Sequence, residues 1–316
     1  MSAQPETLTT GRLIRERRLI VLGLRLVAGQ RGLGSIISNP RLQKPGLALA
    51  GFLAYVKPER VQVIGASEAE FLATLTPAVA QERIEALVAL RPPMLVVSKG
   101  MEETSRHFAA ACDRHAVPLA LTTITTSALI ERLSATLEFL LAPRTTHHGD
   151  LLDIFAIGVL ILGDSGSGKS ECALELVYRG HRLVADDVVE VRRLRNEELI
   201  GQAPEEVRGL MEVRGLGLIS IEQLFGVVAV RDSKPIDLVI NLVSEKSEPV
   251  DRLGLSESSL EILGVARPLL SVPVAPGKSL ALLIECAARK YLLGQRGIAD
   301  VATEYLSRHD RRLTTP

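Results

Sequence analysis

Gly163-Asp164-Ser165-Gly166-Ser167-Gly168-Lys169-Ser170 constrains this chain more than any other stretch. It fits G-x-x-x-x-G-K-[ST] at every fixed position, and its flanks supply the context that pattern needs. The apolar run Ile157–Leu162 predicts a strand leading in. Lys169–Tyr178 predicts a helix leading out, stopped by Gly180. A glycine-rich turn lets backbone N–H groups close around phosphate oxygens, and the helix N-terminus adds its partial positive charge. Lys169 brings a cation to the β and γ phosphates of a nucleotide, and the Ser170 hydroxyl is a ligand for Mg²⁺. Residues 163–170 are therefore the candidate nucleotide-binding loop. A plain glycine turn would account for neither flank.

Downstream, Leu183–Ala185 predicts a short apolar strand with Asp186 and Asp187 at its end. If that strand runs parallel to Ile157–Leu162, loop and carboxylates share one sheet edge, where ligands sit in open α/β sheets. Two adjacent carboxylates can divide the work, one near a metal and one accepting a proton, because their repulsion raises one pKa. A turn after a strand is the plainer explanation, since Asp favours turns; the upstream loop tips the balance to function. Asp237, near the start of a predicted strand, has the wrong position for a metal-side carboxylate.

Composition narrows the class. Of 316 residues, 37 are Lys or Arg and 37 are Asp or Glu, so the formal charge is zero. A dedicated nucleic-acid binder would need a basic excess. Trp is absent and aromatics are 3%, which argues against stacking platforms for single strands. Cys112, Cys172 and Cys286 are too sparse and too widely spaced for a zinc ribbon, and fit a reducing cytosol. No run is long and apolar enough for a membrane span, and no signal-peptide pattern opens the chain. A soluble cytoplasmic protein is expected.

The length suggests two domains. Arginines spread over residues 12–31 read as the solvated side of a helix or strand pair rather than a binding face. From residue 59, short apolar strands (Val61–Ile64, Met94–Val97, Pro118–Leu121) alternate with helices (Ser67–Leu75, Gln81–Leu90, Ser105–His115). Ser67 is the expected cap of the first helix, with Glu70 in the capping-box position. Alternation of this kind predicts a small α/β domain, and it carries no catalytic constellation. A helix over about Ser127–Leu141 follows. The boundary is expected near residue 134, giving a small N-terminal α/β domain (1–134) of open role and a catalytic domain (135–316).

Three further segments complete a pattern: Met211-Glu212-Val213-Arg214-Gly215-Leu216-Gly217-Leu218-Ile219, Asp251-Arg252-Leu253-Gly254, and Pro273-Val274-Ala275-Pro276-Gly277-Lys278. Together with His148-Gly149, the loop and the stretch from Arg179 to Asp187, their order and spacing closely resemble the HPr kinase/phosphorylase family over about residues 145–290. The resemblance implies an enzyme that uses ATP to phosphorylate a serine of HPr, the phosphocarrier protein of the bacterial sugar phosphotransferase system. In reverse, inorganic phosphate attacks the phosphoserine and yields pyrophosphate. It also implies a homohexamer and a P-loop kinase domain resembling phosphoenolpyruvate carboxykinase.

Carried over by position, Lys169 and its loop would hold the ATP phosphates, and Ser170 and Glu212 would bind Mg²⁺. His148 and Arg252 would be catalytic-site residues. The Asp186/Asp187 pair would contain the proton acceptor, with Asp187 preferred. The segment Pro273, Val274, Ala275, Pro276, Gly277, Lys278 would serve dephosphorylation. Taken singly these residues are ambiguous: His148 follows His147, and Arg252 after Asp251 could be a surface pair worth under about 1 kcal/mol. The joint order carries the reading. The last segment departs from the family pattern, which leads us to expect Arg at positions 275 and 278 and Asn at 279. Ala275 and Lys278 remove planar donor forks for phosphate, so reversal should suffer more than phosphorylation. The competing readings are a P-loop kinase of a small metabolite and a non-enzymatic nucleotide-gated regulator, in which Asp186 and Asp187 would be dispensable.

Overall fold

The computed structural model describes residues 7–244, 258–275 and 277–298. The chain divides into two units, one ending at Ala142 and the other starting at Pro143.

In the first unit, strands Gln62–Ile64, Leu95–Val97 and Leu119–Leu121 run parallel side by side, and Arg25–Ala28 pairs antiparallel outside Leu119–Leu121. The three parallel strands are buried throughout, and alternation explains why. Ile64, Leu95, Val97, Leu119 and Leu121 enter one apolar cluster with Phe108 and Leu87. Val63, Val96 and Ala120 enter another with Leu129, Leu133 and Leu137. Successive strand residues point to opposite faces, and both faces are covered, so the strands are apolar at every position. Helix Thr126–Leu140 supplies that second cluster with Leu129, Leu133 and Leu137, so it belongs to this unit. Ser134, where the sequence suggested a boundary, lies within it.

The first helix of the alternation differs from expectation. It spans Ala66–Ala73 with Gly65 as its cap. Glu68, rather than Glu70, reaches back to accept the Gly65 N–H at 3.1 Å. Ser67 lies inside the helix because the chain turns directly from the strand ending at Ile64 into the first turn.

The second unit is built on a mixed sheet in the order Ser258–Ile262, Val265–Val274, Leu238–Ser244, Ile157–Gly163, Asp150–Ile154, Arg182–Ala185. The second, third and fourth of these are parallel. Asp150–Ile154 is antiparallel to both its neighbours, so Arg182–Ala185 points the same way as Ile157–Gly163 with one strand between them. Val159 and Ile161 face helices Lys169–Tyr178 and Leu280–Gln295 through Ala173, Leu176, Ala281 and Ile284. Leu160, Leu151 and Val239 face the other way, onto Val189, Val191 and Leu199. Those belong to a second, antiparallel sheet of Lys234–Pro235, Leu199–Gln202, Val188–Arg193 and Arg144–His148. Truncating a fully buried leucine in such packing costs about 2–5 kcal/mol. Caps and dipole contacts are worth about 1 kcal/mol or less each, so Leu176 and its neighbours are what hold the helix after the loop.

Asp237 precedes strand Leu238–Ser244 and accepts the Gly158 N–H at 2.7 Å, a structural role at the strand's start.

Candidate active site

The strand Ile157–Gly163 ends in the glycine-rich loop and helix Lys169–Tyr178 leaves it, as the motif requires. Gly166 and Gly168 have φ of +80° and +85°, a left-handed region that glycine enters without steric cost. At Gly166 a Cβ would meet nothing within 4 Å. Gly163 is tighter: a Cβ there would lie 2.9 Å from Ser167 Oγ and from the Leu242 carbonyl oxygen. The Lys169 ammonium donates to the carbonyls of Gly163 at 2.9 Å and Asp164 at 3.0 Å, which keeps the cation within the loop. Ser167 Oγ is buried without a hydrogen-bond partner. Open backbone at Gly166, a cation and an orphaned hydroxyl together suit a phosphate chain.

Asp186 and Asp187 follow strand Arg182–Ala185, and their environments differ. Asp186 is buried and accepts the Glu212 N–H at 3.0 Å. Ser170 is close enough to oppose the rise in the Asp186 pKa, and Asp186 Oδ1 is buried without a hydrogen-bond partner. Asp187 is exposed, with a φ of +60°. The strand is anchored at its start: His181 Nε2 lies 3.0 Å from Glu285 Oε1, and Arg179 Nη1 3.5 Å from Glu285 Oε2, on helix Leu280–Gln295.

His148 ends strand Arg144–His148 and stands in register with Val188, the residue after Asp187. It is exposed, whereas His147 is half-buried with an unpartnered Nε2, and burial lowers the His147 pKa. Glu212 and Arg214 are exposed on one side of strand Leu210–Val213 and the turn after it, while Met211 and Val213 point inward. This fits the alternation expected of an extended segment.

The structure brings one residue into this cluster that the sequence did not single out. Asp150 opens strand Asp150–Ile154 and is fully buried. Its Oδ1 accepts the Asp187 N–H at 3.0 Å. Burial first, then the Asp186 charge, pushes its pKa up from the ordinary carboxylate range to about 7, against the opposing pulls of the Asp187 N–H and then Lys169. Asp186 is raised too, mainly by burial. In the sequence Asp150 reads as a turn acid after Gly149; only an acid starting an apolar strand stretch, Leu151-Leu152, hints otherwise.

A stability prediction follows from that shift. The folded chain holds a proton on Asp150 up to about pH 7, while the unfolded chain releases it near the ordinary value of 3.8. The associated stabilisation is complete below that lower value and is lost as pH rises through about 7. In calorimetry of the metal-free protein, Tm should fall as pH rises from about 4 to about 7 and level off above that, and Asp150→Asn should flatten that fall. Identical slopes in the two proteins would contradict the burial account.

Residues 273–275, 277 and 278 continue from the strand Val265–Val274, whose Val274 is in register with Ser244, while Gly163 is in register with Leu242. The segment therefore lies at the same sheet edge as the loop. Gly277 has a φ of +81°, and Lys278 N–H donates to the Ala275 carbonyl at 3.3 Å. Pro276 and Arg252 lie outside the described residues.

Among the described residues, no group of three or more His, Cys, Asp or Glu could hold a metal ion. Ser170 and Glu212 fit a cation shared with phosphate oxygens, since Mg²⁺ usually takes one or two carboxylates and completes its shell with water and substrate.

A glycine-rich phosphate loop, a lysine within it and carboxylates at the same sheet edge are the parts that phosphoryl transfer requires. The family described as HPr Serine kinase C-terminal domain matches residues 140–309, and that described as HPr Serine kinase N terminus matches residues 9–137. The chain is 44% identical over 286 residues to the HPr kinase/phosphorylase of Geobacillus kaustophilus, covering 90% of this chain and 91% of that one. It is 44% identical over 277 residues to the HPr kinase/phosphorylase of Geobacter sulfurreducens, covering 87% and 86%. A solved structure of the Hpr(Ser) kinase/phosphatase from Coxiella burnetii is 37% identical, covering 52% of this chain and 97% of that one, with a TM-score of 0.46. The chain belongs to the HPr kinase/phosphorylase family.

Proposed function

We propose that this enzyme phosphorylates a serine of HPr with ATP and removes that phosphate by attack of inorganic phosphate, releasing pyrophosphate. The observation that carries the site assignment is the hydrogen-bonded group of Asp150, Asp186, Asp187 and Glu212 beside Lys169 and Ser170 at the end of the phosphate loop.

On this reading the loop N–H groups and Lys169 bind the ATP phosphates. Ser170 and Glu212 would hold Mg²⁺, which when bound supplies positive charge to the phosphate oxygens. A serine hydroxyl is a weak nucleophile at neutral pH and needs a base. Asp187, exposed beside His148, takes the serine proton as its oxygen attacks the γ-phosphorus and the bond to the β-phosphate oxygen breaks. In reverse, an inorganic phosphate oxygen attacks the phosphoserine phosphorus, the serine oxygen leaves, and Asp187 returns the proton. Lys169 and Arg252 offset the charge spread over the equatorial oxygens in both directions.

We read residues 273–278 as the segment that orients inorganic phosphate for the reverse step. Lys278→Ala should then lower the rate of dephosphorylation severalfold more than that of phosphorylation, measured on the same HPr preparation. Equal losses would undo the division between the two segments.

The finer fold assignment, a P-loop kinase domain resembling phosphoenolpyruvate carboxykinase, is part of the same proposal. It is supported by the antiparallel strand Asp150–Ile154 beside the loop strand, unlike the all-parallel core of doubly wound nucleotide folds. We also read the enzyme as a cytoplasmic homohexamer. No helix of the described residues is long and apolar enough to cross a membrane. Leu216, Leu218, Leu224, Val227 and Val228 expose apolar surface of the sort that assembly buries.

The test is intact-mass spectrometry of HPr after incubation with the enzyme, ATP and Mg²⁺. The proposal expects one added phosphate, located on serine. ATP binding with unmodified HPr would instead favour a metabolite kinase or a nucleotide-gated regulator.

A further inference from the structure

The main chain of Asp187 is held from both sides by two consecutive residues, Gly149 in the bend between two strands and Asp150 at the start of the second. Its N–H donates to Asp150 Oδ1 at 3.0 Å, and its carbonyl accepts the Gly149 N–H at 2.9 Å. Asp187 has a φ of +60°, a conformation that costs an L-residue with a Cβ about 1 kcal/mol or more and persists where the surroundings over-determine it. Gly149 cannot be replaced freely in this grip, since a Cβ there would stand 2.4 Å from the Ile161 carbonyl oxygen.

Asp150 itself is fixed by the sheet. It is in register with Ile161 on the loop strand, and its neighbour Leu151 is in register with Ala185, the last residue of the strand that carries the pair. A fully buried carboxylate is costly unless something requires it, and a leucine or valine would pack the same strand position at no such cost. One oxygen of the carboxylate accepts a backbone N–H of an otherwise unfavourable turn, and the other is buried without a partner.

We infer that Asp150 is a positioning residue, whose side-chain oxygen locks the left-handed turn at Asp187 and so aims that carboxylate at the reacting hydroxyl. The inference rests on the proposed role of Asp187 as the proton acceptor. Misplacing a reacting group by about 1 Å costs on the order of 10²-fold in rate, so the acceptor at position 150 has a large effect to exert without touching substrate.

Three variants test this. Asp150→Leu keeps the branched outline, in a bulkier side chain, without an acceptor; Asp150→Ala removes outline and acceptor; and Asp150→Asn keeps an oxygen that can accept the Asp187 N–H. With HPr as substrate, the Leu and Ala variants should lose about 10²-fold in kcat, with KM for ATP and for HPr within about twofold of wild type. Asp150→Asn should recover most of that loss. A merely structural role would not produce a kcat-only loss rescued by asparagine. Near wild-type kcat in Asp150→Leu would overturn the inference. So would an Asn variant as slow as Leu, which would leave the charge and not the acceptor as the relevant property. Failure of both Leu and Ala variants to fold would make Asp150 a core residue only. Asp187→Asn, assayed alongside, separates the two levels: if it is fully active, the base assignment fails; if it is inactive while Asp150→Leu is active, only the positioning role fails.

Discussion

Replacing Lys169 by alanine is expected to abolish phosphorylation and dephosphorylation of HPr alike while leaving the fold intact. The side chain is satisfied by two loop carbonyls and contributes nothing to the apolar cluster that holds the following helix, where Cys172, Ala173, Leu176 and Val177 do the packing. Circular dichroism and Tm should therefore stay close to wild type. Catalysis is another matter. Both directions pass through a phosphoryl group whose equatorial oxygens carry the negative charge, and the cation on the loop meets that charge in each. Losing a single preorganised donor costs about 10²–10³-fold, and a full charge in a partly buried loop should exceed this. A Lys169→Ala enzyme with substantial ATP-dependent activity would remove the phosphate-loop assignment.

The second large effect is expected at Asp187. Asp187→Asn should lower kcat about 10²–10⁴-fold in the kinase direction, the range that a positioned general base contributes. Asparagine keeps the size, the backbone N–H and the hydrogen bond to Asp150, so the turn should survive and nucleotide affinity by calorimetry should be unchanged. The two adjacent carboxylates differ in environment. Asp186 is turned inward and accepts the Glu212 N–H, whereas Asp187 is exposed. Wild-type turnover by Asp187→Asn would move the proton-accepting role to Asp186 or elsewhere.

The parts of this site legible in the sequence are those governed by local rules. The loop and its flanks follow from glycine spacing and a change of hydrophobic period at residue 163. The helix start, the strand end at Ala185 and the shared face of Glu212 and Arg214 follow in the same way. What stayed hidden depends on long-range pairing. Strand Asp150–Ile154 sits between the loop strand and the carboxylate strand, and nothing local to its five residues says that it is covered on both sides. With that strand unseen, the burial of Asp150 was unseen too, and so was its grip on Asp187. The misplaced cap at Ser67 has a smaller cause. Gly65 offers no side chain to read as a cap, and the stabilising contact comes backwards from Glu68. In the first unit the strands were found from their apolar runs, but which helix covers which face emerged only from the two clusters around Phe108 and Leu133.

On the proposed mechanism, one site built on Lys169 and Asp187 moves a phosphoryl group to and from a serine of HPr. The most direct measurement is phosphorus NMR of a single tube in which phosphoseryl-HPr, the enzyme and Mg²⁺ are mixed with inorganic phosphate. The account predicts one pyrophosphate formed for each phosphoserine lost, with no change in a parallel tube containing Lys169→Ala. Loss of phosphoserine with a matching rise in inorganic phosphate and no pyrophosphate would mean that water is the acceptor, and would contradict it.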